Sequence, residues 1–136
     1  MRSSTTESTK VTKIEFDCLS NKVIGCAIEV HRNLGPGLLE SAYQAALAYE
    51  LTSQSITFKQ QVSLPVQYKE MQLDCAYRID LLVEEILIVE LKSVNELRPI
   101  DEAQLLTYMK LSGCKTGLLI NFNTRLLKNG IKRMVI

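Results

Sequence analysis

Apolar residues recur at helical spacing from about Leu19 through Val23, Cys26, Ala27 and Val30, and the run breaks at Gly35-Pro36-Gly37. A second helix is predicted from about Leu38 to Gln54, with Leu39, Tyr43, Ala46, Leu47 and Leu51 along its stripe. The pattern then turns extended, with strands expected near Thr57–Gln60, Val62–Tyr68, Leu73–Val83 and Ile86–Ser93. Pro99 suits the first turn of a further helix reaching about Leu111, and Gly113 ends it. Thr116–Phe122 reads as a buried strand, and the remainder to Ile136 as a turn and a short last strand. Residues 1–13 are polar, rich in Ser and Thr, and read as a disordered tail. That leaves 14–136 as one domain: α-α-β-β-β-α-β, a mixed sheet covered by helices.

The segments Tyr77–Val83 and Ile86–Lys92 are separated only by Glu84 and Glu85, so they read as an antiparallel hairpin. A tight two-residue turn would set Asp80 against Val89 and Ile79 against Glu90, scattering charge over both faces. Neither turn residue is the Gly or Asn that such a turn favours. An odd-length turn centred on Glu85 instead sets Asp80 against Glu90, Arg78 against Lys92 and Leu82 against Ile88. The opposite face, Tyr77, Ile79, Leu81, Val83, Leu87, Val89 and Leu91, then carries no charge. The second register is therefore expected.

It brings the Cβ atoms of Asp80 and Glu90 to about 5 Å. Lys92, two residues after Glu90, leaves the same face. Two carboxylates and an ammonium among aliphatics are costly unless they pair with each other or hold a metal. Two readings follow. In one, Arg78 and Lys92 neutralise the acids as a surface salt-bridge ladder. In the other, the acids share a divalent cation that positions a water, which suits phosphodiester hydrolysis. Leu82 and Ile88, flanking the cluster on its own face, weigh against a fully solvated ladder.

Composition narrows the chemistry. The 136 residues are 46% hydrophobic and 23% charged, as in an ordinary globular domain, and no apolar run reaches membrane-span length. Without a signal-peptide apolar core, the expected location is cytoplasmic. Cys18, Cys26, Cys75 and Cys114 lack metal-ligand spacing and read as buried free thiols. His31 is the single histidine, which excludes motifs built on histidine pairs, and its place near a helix end suits a dipole partner rather than a base. Net charge is only +1, yet no acid follows Glu102 while six basic side chains do. Lys115, Arg125 and Lys128 in that stretch, with Arg78, are candidate phosphate contacts.

Asp80, then Glu90-Leu91-Lys92, then a helix resembles the PD-(D/E)xK nuclease fold, whose restriction-endonuclease-like core runs α-β-β-β-α-β. Upstream, Gly37-Leu38-Leu39-Glu40-Ser41-Ala42-Tyr43 is similar to the GxxExxY motif that names a family placed in this superfamily. The resemblance spans roughly Leu19 to Met134. By analogy, Asp80 and Glu90 would be metal ligands, Lys92 would lie beside the attacking water or scissile phosphate, and Glu40 would be an accessory acid of the metal shell. Gln104 and Tyr108 resemble the QxxxY pattern of RecB-like branches. Asp101 stands where the family would be expected to carry a histidine, which leaves that position without an inherited role.

Each accessory residue also has a structural reading: Glu40 as a first-turn acid, Tyr43 as core, Gln104 and Tyr108 as a polar bridge to the sheet. Oxygen-only ligands suit Mg²⁺ or Mn²⁺. The expected function is a metal-dependent nuclease acting on DNA or RNA, with a homodimer or a partner supplying specificity. The alternative is a catalytically silent nucleic-acid- or protein-binding module that keeps the fold.

Overall fold

A computed structural model describes residues 5–73 and 77–136, with side chains described from Cys18 onward except at 74–76. Helix α1 spans Thr5–Leu34 and α2 Glu40–Ser53. The helix thus begins at Thr5, inside the stretch read as a tail, where too few apolar residues fall to show a stripe. Strands β1 (Phe58–Ser63), β2 (Val66–Tyr68), β3 (Met71–Leu73), β4 (Arg78–Val83) and β5 (Leu87–Lys92) follow, then α3 (Pro99–Ser112), β6 (Thr116–Asn121), a 3₁₀ turn at Leu127–Gly130 and β7 (Ile131–Val135). β2 and β3 form a small separate hairpin, so the single strand expected over Leu73–Val83 is divided, with 74–76 outside the described residues.

The main sheet has the order β1-β4-β5-β6-β7, with β5 and β6 parallel and every other pair antiparallel. This is a mixed sheet flanked by helices, the restriction-endonuclease-like arrangement expected. α1 and α2 cover one face over Leu81, Val83, Leu87, Val89, Leu91, Leu118 and Ile120. α3 covers the other through Leu105, Tyr108 and Met109 on Leu82, Ile88 and Leu119. Opposite parities of β5 and β6 serve the two layers, which is why both strands read as unbroken apolar runs.

The β4–β5 register pairs Leu81 with Val89, Leu82 with Ile88 and Val83 with Leu87. It is the odd-turn register, closed by Glu84 and Glu85 at φ +54° and +63°. The ladder stops there, however, so neither the expected Asp80–Glu90 pair nor the expected Arg78–Lys92 pair is part of it. Face alternation also switches at Asp80: Ile79 packs in the α3 layer, whereas Leu81 packs under α1 and α2. The partner strand switches in step, Phe58 lying with the α1–α2 layer and Val62 with the α3 layer. Gln61, between them, has φ +50°, the irregularity that lets both strands turn over. The uncharged face drawn from strict alternation is thus corrected at Tyr77 and Ile79: the β1–β4 register is unchanged across Gln61 and Asp80, but the ladder breaks there and the faces exchange. Cys26 is buried as expected, Cys18 is exposed and Cys114 half-buried, and Cys75 lies outside the described residues.

Candidate active site

As β1 and β4 turn over together, β4 parts from β5 and leaves a wedge between the strands. Backbone donors inside it lose their ladder partners and must be satisfied otherwise. Asp80 N donates to Glu90 Oε1 at 2.9 Å, and Leu91 N donates to Asp80 Oδ2 at 2.9 Å. Each carboxylate thus uses one oxygen to hold the opposite strand open. The second oxygens differ. Asp80 Oδ1 accepts from Gln61 Nε2 at 3.2 Å, while Glu90 Oε2 carries no hydrogen bond among the described residues.

Glu90 is 6% exposed. Burial, then the neighbouring Asp80 charge, pushes its carboxyl up to about 8, against the opposing pull of the Asp80 backbone N–H and of Lys92. Glu40, further off, pushes in the same direction as Asp80. No salt-bridge ladder forms: among the described residues neither Arg78 nor Lys92 makes an ion pair with Asp80 or Glu90. Lys92 Nζ lies instead 3.8 Å from Asp101 Oδ1 and donates to Gln104 Oε1 at 3.4 Å. The wedge therefore holds acidic charge with no protein cation closed onto it.

Glu40, Gln61, Arg78, Asp80, Glu90, Lys92, Gln104 and Tyr108 line one pocket of about 350 Å³. Three parts of the fold converge on it: the start of α2, the wedge of β1, β4 and β5, and the middle of α3. Gln104 Nε2 donates to Tyr108 Oη at 3.1 Å, so Lys92, Gln104 and Tyr108 form one chain along the wall. Burial, followed by the charges of Glu90 and Asp80, raises the Tyr108 phenol above its ordinary value and keeps it a proton donor.

The Gly37–Tyr43 string acts as a unit. Gly35 and Gly37 adopt φ +68° and +100°, a region costly for residues with a Cβ. Tyr43 is fully buried and stacked on Phe122 with ring centres 4.4 Å apart. Its hydroxyl donates to Gly35 O at 2.6 Å and accepts from Leu38 N at 3.1 Å, fixing the loop that delivers Glu40 to the pocket. Ser93 Oγ donates to Leu38 O at 2.6 Å and ties that loop to the end of β5. Tyr43 is core, as its place on the apolar stripe indicated.

Two residues were missed by sequence reasoning. Gln61 reaches Asp80 only because its backbone is irregular, and no spacing rule signals that. Asp101 was set aside for want of a histidine. It is buried at the third position of α3, where its Oδ2 accepts from Arg98 N at 2.8 Å and its Oδ1 faces Lys92. An acid three residues after a helix start is a capping signal that could have found it.

Of the candidate phosphate contacts, Arg78 lines the acidic pocket. Arg125 and Lys128 share a hollow with His31 and Arg32, where His31 Nε2 bonds Thr124 O at 2.7 Å. Lys115 lies at the opposite end of the sheet, beside Glu85. Three of the four candidates are therefore not brought to the acids.

The donor set fits a hard cation. It is all oxygen, two carboxylates stand on opposed strands, and Glu90 is raised by burial first and by the Asp80 charge second, both of which a cation would offset. Among the described residues no group of three or more His, Cys, Asp or Glu side chains is placed to hold a metal ion. The protein thus offers Asp80 and Glu90 with Glu40 at the pocket wall, an open set that waters would complete. No described helix is long and apolar enough to cross a membrane. No curated protein and no solved structure matches the chain. A family model described as PD-(D/E)XK nuclease superfamily matches residues 17–134, which include every element of the wedge. With its mixed sheet, and with acids and lysine at the parting of two strands, the chain belongs to the PD-(D/E)XK nuclease superfamily.

Proposed function

We propose that the protein is a divalent-metal-dependent phosphodiesterase acting on nucleic acid, with Asp80 and Glu90 holding Mg²⁺ or Mn²⁺. The observation that carries this reading is the carboxylate pair in the wedge, Glu90 buried and Asp80 half-buried, with no Lys or Arg paired to either among the described residues. A bound cation supplies polarisation of a phosphoryl oxygen and a water of lowered pKa. Lys92, held by Gln104 and Asp101, keeps its ammonium beside the acids, where it can orient the attacking water or meet charge developing on the phosphate. Arg78, on the same pocket, offers a contact to an adjoining phosphate. Glu40, on the pocket wall, would offer a further carboxylate near the waters of a bound cation. The Gly37–Tyr43 string supports assignment to the GxxExxY family, and the Gln104–Tyr108 pair supports a RecB-like branch. A cytoplasmic setting suits the free thiols.

The test is cleavage of DNA and RNA, single-stranded and duplex, in Mg²⁺, Mn²⁺ or EDTA, by the wild type and Lys92→Ala. We expect metal-dependent cutting that Lys92→Ala loses while its far-UV circular dichroism stays unchanged. Cutting retained in Lys92→Ala contradicts the assignment. No cutting of any substrate, with no metal-induced rise in melting temperature, would leave the catalytically silent module as the better reading.

A further inference from the structure

Beside the acidic pocket runs a second hollow of about 570 Å³, and Lys92, Gln104 and Tyr108 line both. One wall is the outer face of α3, where Ile100, Ala103, Thr107 and Leu111 follow at helical spacing. The other is Tyr77 and Val66. Apolar side chains of this stripe stand in solvent although the opposite side of the helix is core: Ile100 is 62% and Leu111 41% exposed, and Tyr77 across the groove is 44% exposed. Tyr77 is braced edge-on against Tyr108 at 6.4 Å and 61°. Bracing fixes one edge of the ring while its exposure leaves a flat surface open.

The chemistry of the two hollows differs. The acidic pocket is polar and suits a metal-bound phosphate. The groove is apolar and aromatic, and its one acid, Asp101, is already engaged by Arg98 and Lys92. Cations stand only at the margins: Arg98 on the groove wall, Lys92 at the junction and Arg78 on the pocket. A ligand matching both would have negative charge at the junction and flat, weakly polar bodies beside it. That is a nucleic-acid strand with its bases unstacked. A duplex keeps its bases inside and presents phosphates and groove edges, so it leaves an apolar cleft of this kind unfilled.

We propose that the α3 groove holds unpaired bases adjoining the phosphate at Asp80 and Glu90, with Tyr77 as the stacking surface, and that the substrate is single-stranded nucleic acid. This rests on the nuclease reading above and deepens it. Stacking of a base on an aromatic side chain changes affinity by about 1–3 kcal/mol, roughly tenfold or more.

The test is fluorescence anisotropy in Ca²⁺ with three labelled probes: a short oligothymidylate, an abasic deoxyribose-phosphate strand of equal length, and a blunt duplex. Wild type, Tyr77→Ala and Tyr77→Phe are compared, with their cleavage measured separately in Mn²⁺. The expected result is oligothymidylate binding roughly tenfold or more tighter than either other probe, a preference lost in Tyr77→Ala and kept in Tyr77→Phe. Equal binding of oligothymidylate and abasic strand, or a preference untouched by Tyr77→Ala, overturns the groove assignment while leaving metal-dependent cleavage intact. A concentration-dependent dimer that Ile100→Asp disperses, with base preference absent, makes a second copy the occupant and also overturns it. No binding of any probe and no cleavage overturn the nuclease reading together with the groove.

Discussion

The β4–β5 hairpin carries an acidic pair at each end, and the two ends solve the same electrostatic problem differently. At the turn, Glu84 and Glu85 sit in solvent: Glu84 accepts a hydrogen bond from Thr57 N, and Glu85 pairs with Lys59 at 2.8 Å. Their cost is met locally, and the ladder beneath them is closed. At the open end, Asp80 and Glu90 replace ladder bonds, Glu90 buried and Asp80 half-buried, and no cation among the described residues pairs with either. Equal numbers of carboxylates thus yield a surface turn at one end and a strained electrostatic pocket at the other. Burial without a charge partner, rather than acidity, distinguishes the end proposed as the active site.

That contrast predicts opposite responses to the same chemical change. Asp80→Asn removes a negative charge that the reaction needs and should lower cleavage by about a hundredfold or more. Glu85→Gln removes an exposed ion-pair partner and should leave cleavage within about twofold and stability within about 1 kcal/mol. Initial rates and urea denaturation of the two variants read both effects.

The pH response should differ as well. Because the folded protein raises the Glu90 carboxyl from its ordinary 4.5 to about 8, it holds a proton between those values that the unfolded chain has released. Its contribution to stability is therefore present below pH 4.5 and is lost as pH rises through about 8, with a slope of up to about 1.4 kcal/mol per pH unit. Melting curves of metal-free protein across this range should show the decline, and Glu90→Gln should flatten it. A Glu84→Gln control should keep the slope.

A smaller effect is expected where the loop is pinned. Tyr43→Phe keeps the stacked ring and removes two hydrogen bonds to the Gly35–Leu38 backbone, a cost of about 1–3 kcal/mol. Activity should fall less than in Asp80→Asn, since Glu40 is displaced while the core acids stay in place. Thermal melting and initial rates check both parts.

The hairpin register was legible because one choice of turn separated charge from apolar surface, and that logic needs only period two. The same rule failed at Tyr77 and Ile79, since the break at Gln61 and Asp80, with Gln61 at positive φ, is backbone geometry with no compositional signature. Asp80, Glu90 and Lys92 could be singled out because charged residues in apolar strands are expensive. Asp101 could be read only by asking what caps α3. Lys115 shows the limit of charge counting: a basic stretch of sequence is divided by the sheet between its two ends, so proximity in the chain says little about proximity to the acids.

The central claim is that the wedge acids bind a divalent cation as a pair. The most direct measurement is calorimetric titration of Mn²⁺ into the wild type at pH 7 and pH 9, beside Glu90→Gln and Glu84→Gln. The account predicts binding that tightens with pH as Glu90 releases its proton, is lost in Glu90→Gln and is retained in Glu84→Gln. Equal affinity in Glu90→Gln and wild type, at both pH values, would contradict it.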